Sequence, residues 1–295
     1  MPQIRVTEGS ITTRVMANLQ RNVARSGKLQ EQLSSGKLIS RPSDSPSGTL
    51  SSMQLRGEAR VNEQYSRNAD DGLGWLGTVD NILTTSLTQL NRVRELGIQS
   101  QNGAASQESR EALAVEVENI RDGLIGVANT TYLGRPVFGG TTTLPAAYDS
   151  TGVYLGDTGD VMRTIGNGSQ VRVGEVGPNV FGTGPDQLFT VLSDIATSLR
   201  ANNTPALQAS MDKLNASGDL IKSTLADVGA RYNRVSQAKD TAQRRVDALK
   251  NQVSDIEDVD LPKTIMEMQL QQTAYQSALA ATAKVIQPSL LDYLR

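Results

Sequence analysis

The sequence predicts a mainly α-helical protein: a long antiparallel helical bundle, or coiled-coil rod, with a small β-rich insert. Three observations predict this fold class. A seven-residue apolar repeat runs from Leu207 to Ile256, shorter ladders of the same spacing lie in the N-terminal half, and twelve of the 26 glycines fall between residues 134 and 184. Apolar residues every three or four positions over about seven heptads are typical of a coiled-coil seam, whereas dense glycine is typical of turns.

The composition excludes several classes of site. The 295 residues contain no cysteine and no histidine, which excludes disulfides, thiolate or histidine metal sites and Ser-His-Asp catalysis. A formal net charge of -2 gives no case for nucleic-acid binding. We expect no metal and no cofactor. Without a secretory signal or a long apolar run, these features alone predict a cytoplasmic protein.

An apolar stripe near the start predicts the first helix. Its members are Val15, Leu19, Val23 and Leu33. The next stretch, "LSSGKLISRPSDSPSG" at residues 33–48, contains a Gly-Lys pair but lacks the glycine and the hydroxyl that a phosphate loop requires at fixed spacing. Pro42 cannot lie inside a helix, and Ser45-Pro46 is typical of an N-cap followed by proline at the first helical position. We therefore interpret the stretch as a connector.

Two helices with a shared seam follow the connector. The first carries a ladder at Leu76, Val79, Leu83, Leu90 and Val93. Asn102-Gly103 is a turn pair that ends this helix, and Ser106 is positioned to cap the next. The second helix carries one apolar face, formed by Leu113, Val117, Ile120, Leu124 and Val127.

The glycine-rich middle predicts β-structure. Residues 161–165 and 169–173 flank Gly166-Asn167-Gly168, which is typical of a hairpin. "GVYLG", at residues 152–156, is predicted to form a third strand. Asp157 and Asp160 are a close acidic pair in this insert, and a carboxylate enzyme that uses them is an alternative to a structural role.

The longest helix carries the strongest repeat, and we assign part of it to a coiled-coil or assembly seam. These residues are Leu225, Val228, Val246, Leu249, Val253 and Ile256. Lys239 interrupts the repeat, either because its ammonium group reaches solvent or because the seam turns toward a neighbour there. The acidic run at residues 255–260 lacks the spacing of a calcium loop, and we interpret it as a solvated helix end.

A last helix follows "DVDLPK" at residues 258–263, where Asp260 can cap and Pro262 lies in the first turn. Its predicted seam is Ile265, Met268, Tyr275, Leu279 and Ile286. Both end helices expose apolar stripes, and isolated helices of this length are marginal in water, so we expect them to order on assembly. The predicted domains are terminal helices (1–45 with 258–295), a helical rod (46–135 with 188–257) and a β-rich domain (136–187).

The order of these segments resembles the flagellin superfamily. Similarity extends over most of residues 1–141 and 215–295, and includes "NADDGLGWLGTVDNILTTSLTQLNRVRELGIQSQNG" at residues 68–103. Within the superfamily, "GRPVFGGT", the β-rich segment and the tail "SLLDYLR" resemble hook–filament junction proteins, whereas "NRVRELGIQ" resembles filament flagellins.

The resemblance implies a structural, non-enzymatic subunit of the bacterial flagellum. It would form a ring of copies between hook and filament, with the first hook–filament junction protein on one side and flagellin on the other. Export would use the flagellar type III channel, so the protein would be extracellular, and an export chaperone would bind the C-terminal helix. No nucleic acid and no membrane insertion are expected. The alternative is a filament flagellin subunit.

One further patch resembles the flagellin surface that an animal innate immune receptor binds. It comprises Arg92, Arg94, Glu95, Leu96 and Gln99. The alternative interpretation is that these residues are rod-surface positions covered by neighbouring subunits.

Overall fold

A computed structural model of the protein describes residues 8–100 and 106–286, with side chains from 13 to 100 and from 106 to 283. Helices dominate these ranges, which confirms the predicted fold class. The elements in chain order are α1 (Glu8–Ser35), α2 (Pro46–Ser100), α3 (Gln107–Ala128), β1 (Thr131–Tyr132), β2 (Arg135–Pro136), β3 (Met162–Gly166), β4 (Ser169–Arg172), α4 (Gly177–Phe181), α5 (Leu188–Arg200), α6 (Thr204–Glu257) and α7 (Leu261–Ile286).

Three helices begin where the cap signals predicted. The hydroxyl of Ser45 accepts a hydrogen bond from the backbone N of Gly48 at 3.2 Å, at the start of α2. Ser106 caps α3 by accepting from the backbone N of Ser109. Asp260 caps α7, with its Oδ1 3.1 Å from the backbone N of Lys263. Each cap satisfies an amide that has no partner inside the helix.

The chain divides into two compact units. The terminal unit consists of residues 1–60 and 247–295, and the central unit of residues 61–246. This division differs from the predicted one, in which residues 136–187 formed a domain of their own. Their apolar side chains instead join the same buried cluster as the helices of the central unit.

The central unit is organised by the contact of α2 with α6. The apolar ladders of both helices are buried, at Leu76, Val79, Leu83, Leu90, Val93, Leu214, Ile221, Val228 and Val235. Gly97 permits a close crossing, because a Cβ there would lie 2.6 Å from Sδ of Met211. The long repeat of α6 therefore contacts the ladder of α2 within one chain.

Lys239, which interrupts the repeat of α6, forms an ion pair within the central unit. Its Nζ lies 2.6 Å from Oδ1 of Asp70 on α2. The hydrogen bond to Asp70 raises the pKa of the Lys239 ammonium group above its usual value. Lys239 thus reaches a carboxylate of the same chain.

The sequence interpretation missed α5, which packs against α3 in the central unit. Its buried apolar face is Leu188, Phe189, Val191, Leu192, Ile195 and Leu199. Arg200 at its end pairs with Glu118, at 2.5 Å, and with Glu111, at 3.0 Å, near the start of α3. The spacing of the apolar residues is helical, so periodicity was sufficient to find this helix.

The hairpin predicted in the glycine-rich middle is confirmed. Strands β3 and β4 pair antiparallel, with Met162 opposite Arg172, and Gly168 in the turn has a φ of +66°. The third strand predicted at residues 152–156 is wrong: the segment forms a single bridge, between Tyr148 and Tyr154. Oδ1 of Asp149 accepts from the backbone N of both Thr151 and Val153, and this side-chain turn replaces a strand ladder.

The β-rich residues are anchored to the helices of the central unit. Arg163 of β3 pairs with Asp71 of α2 at 2.5 Å, and its guanidinium lies 5.9 Å from the ring centroid of the buried Trp75. After β4, the buried carboxylate of Glu175 pairs with Arg231 of α6. The insert is therefore an integral part of the central unit.

Truncation of Ile221 should test the α6 core. Ile221 is fully buried, and Ile221→Ala should lower the free energy of unfolding by about 2–5 kcal/mol because it leaves a cavity. Ser223→Ala, at an exposed position two residues on, should change it by less than about 0.5 kcal/mol. Urea unfolding followed by circular dichroism measures both. Equal unfolding midpoints would contradict burial of this face.

Replacement of residues 142–182 by a short Gly-Ser linker should destabilise the central unit, since it uncovers Trp75 and leaves Arg231 without Glu175. The expected result is a lower and broader thermal transition by circular dichroism. As a control, the surface loop at residues 142–146 is replaced by Gly-Ser residues of equal number. An undiminished melting temperature after the large replacement would show that the insert is an appendage.

Candidate assembly interface

The fully buried side chains of α1 and α7 in the terminal unit are mostly polar. Among the side chains that the structure describes in these two helices, at residues 13–35 and 261–283, the buried ones are Leu29, Gln32, Thr264 and Gln271. Nε2 of Gln271 donates to both the carbonyl oxygen and Oδ1 of Asn22, at 3.3 Å each. Leu29 is the one apolar side chain among these four.

The predicted seam residues of α1 and α7 fall into three groups. Val15, Leu19, Leu33, Met268 and Tyr275 are half-buried, and Val23, Ile265 and Leu279 are exposed. The side chain of Ile286, at the end of α7, lies outside the described residues. We expected each end helix to lack a partner in a free copy, but α1 and α7 partly cover each other. The apolar stripes of both helices therefore remain partly exposed to solvent.

The terminal unit exposes further large apolar side chains. Met16, Leu50, Met53, Met266 and Leu270 are between 54% and 71% exposed. Among residues 13–100 and 106–283, the continuous buried apolar cluster lies in the central unit and includes no residue of the terminal unit. Exposed apolar side chains without a core of their own are typical of an interaction surface.

The predicted seam residues of α6 are covered to different extents. Val228, Val246 and Leu249 are buried, whereas Leu225, Val253 and Ile256 are half-buried. Burial decreases toward the end of the helix, where Val253 and Ile256 belong to the terminal unit. Whether these residues contact neighbouring copies stays a prediction.

Two connectors of the terminal unit are joined by a short ladder, which we call the clasp and define as residues 36–39 and 257–259. Lys37 and Asp258 form an antiparallel bridge. The backbone N of Leu38 donates to the carbonyl of Glu257 at 2.6 Å, and that of Val259 to the carbonyl of Gly36 at 3.0 Å. Gly36 has a φ of +68°, a conformation that favours glycine and turns the chain out of α1.

Charged side chains reinforce the clasp. The carboxylate of Glu257 is 9% exposed and lies 2.5 Å from Nη2 of Arg56 and 3.8 Å from Nζ of Lys37. Lys37 also pairs with Asp258, which accepts a hydrogen bond from Ser254 as well. Lys37 of the Gly-Lys pair thus pairs with carboxylates. The interpretation of residues 255–260 as a solvated helix end is wrong for Glu257, because its side chain is buried.

The carboxylate of Asp258 titrates below its usual range. Hydrogen bonds first from Lys37 and then from Ser254 lower the pKa of this carboxyl group. The charged form is therefore favoured in the folded clasp, and protonation of Asp258 weakens it.

A groove of about 440 Å³ lies beside the clasp. Its lining includes Ile39, Pro42 and Met53 together with the cationic Lys37, Arg41 and Arg56. The volume falls within the range of about 300–1,000 Å³ that is common for binding clefts.

The receptor-like patch on α2 is divided in the structure. Arg92, Glu95 and Gln99 are exposed, and Arg94 is half-buried with its guanidinium 2.7 Å from Oδ1 of Asn215. Arg92 pairs with Glu116 of α3 at 2.7 Å. Leu96 is fully buried, because it lies on the apolar ladder that faces α6, and it cannot contribute to a surface of a single copy.

Asp157 and Asp160, the acidic pair of the insert, form contacts within the insert. Asp157 accepts from the backbone N and hydroxyl of Thr141 and from the backbone N of Gly159, and Asp160 lies 3.5 Å from Arg172. These contacts serve turns. In the described part of the chain, no group of three or more acidic residues is placed to hold a metal ion, and no helix is long and apolar enough to cross a membrane.

Two family models match the chain. That of the bacterial flagellin N-terminal helical region matches residues 8–143, and that of the C-terminal helical region matches residues 211–294. The chain is 26% identical over 282 residues to flagellar hook-associated protein 3 of Escherichia coli (strain K12), covering 86% of this chain and 88% of that protein. It is 25% identical over 309 residues to flagellin of Bacillus subtilis (strain 168), covering 99% of this chain and 100% of that protein.

The fold is similar to that of a solved structure, the flagellar hook associated protein-3 from Legionella pneumophila. The TM-score is 0.62 at 16% sequence identity, covering 69% of this chain and 98% of that chain. At 16% identity, this similarity establishes a shared fold and no more.

Acidification should loosen the clasp. Because the pKa of Asp258 is lowered in the folded state, the stability from its pair with Lys37 is present above the unfolded-state pKa of about 4 and is lost as the pH falls through the folded-state value. Spin labels on Ala24→Cys of α1 and Gln272→Cys of α7 should report a broader distance distribution at about pH 3 than at pH 7.

The variant Asp258→Asn should show the broad distribution at neutral pH already. Its control is Asp255→Asn, at an exposed position in the last turn of α6, which should keep the wild-type pH profile. If Asp258→Asn kept the wild-type dependence of the distance distribution on pH, this carboxylate would not stabilise the clasp.

Proposed function

We propose that this chain, which belongs to the flagellin family, is a structural subunit of the bacterial flagellum that forms the junction between hook and filament. It serves there as the adaptor on which flagellin assembles. The observation that carries the proposal is the open terminal unit, which exposes apolar side chains on α1, α2 and α7. Relatives named hook-associated protein 3 match most of the chain and support the junction over the filament. The role is structural and not enzymatic.

The geometry of the terminal unit suits a subunit that is completed by its neighbours. Burial of each exposed leucine or methionine between copies is worth about 1.5–3 kcal/mol. The clasp holds the connectors of α1 and α7 in one register, so every copy presents the same face. In a ring of copies, neighbouring subunits cover this exposed apolar face. The first junction protein lies on the hook side of the ring and flagellin on the filament side.

Export and location belong to the same proposal. The protein leaves the cell through the flagellar type III channel and lies outside the cell at the hook–filament junction. The absence of cysteine suits passage of an unfolded chain through a narrow channel. An export chaperone covers α7 before assembly, since Met266 and Leu270 of this helix are otherwise exposed to water.

A filament flagellin subunit is the second candidate. The similarity to Bacillus subtilis flagellin over 309 residues and the segment "NRVRELGIQ" at residues 91–99 favour it. Both candidates use the same terminal helices, so the location of the subunit and the fate of flagellin in its absence distinguish them.

Deletion of the gene should leave hooks intact while unpolymerised flagellin escapes into the medium, because filament subunits lose the surface on which they assemble. Immunoblots of the medium and electron microscopy of cells measure this. The intact gene should restore filaments, whereas a gene that lacks residues 264–295 should not. A medium free of flagellin, or normal swimming after deletion, would contradict the junction role.

A further inference from the structure

The groove beside the clasp is formed before any partner arrives. Oδ2 of Asp44 accepts from the backbone N of Arg41 at 3.0 Å, and its Oδ1 pairs with Lys28 at 3.1 Å. Ile39 packs closely on the first turn of α2, since a Cβ at Gly48 would lie 2.7 Å from Cδ1 of Ile39. Walls fixed in this way reduce the ordering cost of binding.

The lining of the groove defines what it can hold. Ile39, Pro42 and Met53 supply an apolar wall, and Met53 is 64% exposed. Lys37 and Arg56 are already occupied by Glu257. Arg41 is 71% exposed and reaches Glu31 only at 3.5 Å, so its guanidinium is available. The groove therefore suits an apolar helix face that carries one carboxylate.

An exposed face of α7 has this chemistry. Met266 and Leu270 lie one turn apart and are 65% and 71% exposed. Glu267 beside them is the one acidic residue of Leu261–Ile286. It is exposed and forms no ion pair within the part of the chain that the structure describes. Apolar and charged groups of the two surfaces are thus complementary.

The two surfaces are separate within one copy. The groove is lined by Ser35 at the end of α1, by residues of the α1–α2 connector and of α2, and by Glu257; no residue of α7 lines it. Met266 and Leu270 are open to water in the same copy. Two different patches that meet between identical copies form a heterologous contact, and such contacts generate rings when the rotation closes.

We propose that the groove of one copy receives Met266, Glu267 and Leu270 of α7 from the next copy, with the carboxylate of Glu267 on the guanidinium of Arg41. This inference rests on the proposed function, because it assumes that copies assemble side by side. It adds the residues that determine which surface of a copy meets which surface of its neighbour.

Disulfide crosslinking tests the contact directly, because the chain has no cysteine of its own. Cells that express Pro42→Cys and Leu270→Cys copies together should yield a crosslinked dimer when isolated flagella are oxidised. Each copy carries one thiol, so a crosslink between positions 42 and 270 joins two copies; mass spectrometry distinguishes it from crosslinks between like positions. The control pairs Pro42→Cys with Gln272→Cys, on another face of α7. An equal yield from the control, or no dimer containing both positions, would overturn the proposal.

Charge reversal tests the ion pair in cells. Arg41→Glu or Glu267→Arg alone should release flagellin into the medium as gene deletion does, since like charges then face each other. The combination Arg41→Glu with Glu267→Arg should restore retention of flagellin. Arg25→Glu, at an exposed position of α1, is the control and should retain flagellin.

The outcomes separate the two proposals. Single reversals that retain flagellin, or a combination that fails to restore retention, would overturn the groove contact and leave the junction role intact. Retention of flagellin in the deletion strain itself would overturn the junction role. Restoration by the double reversal is not expected from a merely destabilising effect, because each single change would then add to the other.

Discussion

The terminal unit depends on one buried carboxylate, that of Glu257. A charge withdrawn from water requires ionic partners, and Arg56 and Lys37 both approach Oε2 of this carboxylate. The backbone carbonyl of the same residue accepts from Leu38, so the connector that follows α1 is fixed against the connector that precedes α7. A unit with few apolar contacts of its own can therefore keep an open face in a defined shape.

Periodicity and caps predicted the helices because each signal is local. A 3.5-residue repeat and a capping hydroxyl or carboxylate each act within one or two turns, and α2, α3 and α7 begin as the caps indicate. The prediction of a third strand is wrong for an equally local reason: Oδ1 of Asp149 accepts hydrogen bonds from the backbone N of Thr151 and of Val153. Helix α5 has the apolar spacing of a helix, but it was missed because it is short and directly follows the glycine-rich segment.

Local patterns of periodicity and capping could not predict the clasp. Lys37 and Asp258 are 221 residues apart, and no pattern along the chain relates one ion to the other. The same holds for Lys239 with Asp70 and for Arg231 with Glu175. Sequence patterns predict which face of a helix is apolar. Which charged residue meets which depends on the packing, and Leu96 shows that a surface patch inferred from a linear motif can include a core residue.

The amide contact between α1 and α7 has a consequence for the addition of new copies. Gln271 and Asn22 give the two helices a preferred alignment, but amides that leave each other regain hydrogen bonds from water, so separation costs little free energy. Exchange of one such partner for an identical one therefore changes the free energy little. In the assembly proposed above, an arriving copy would separate its own helix pair to join identical helices already in place, and its central unit would stay folded.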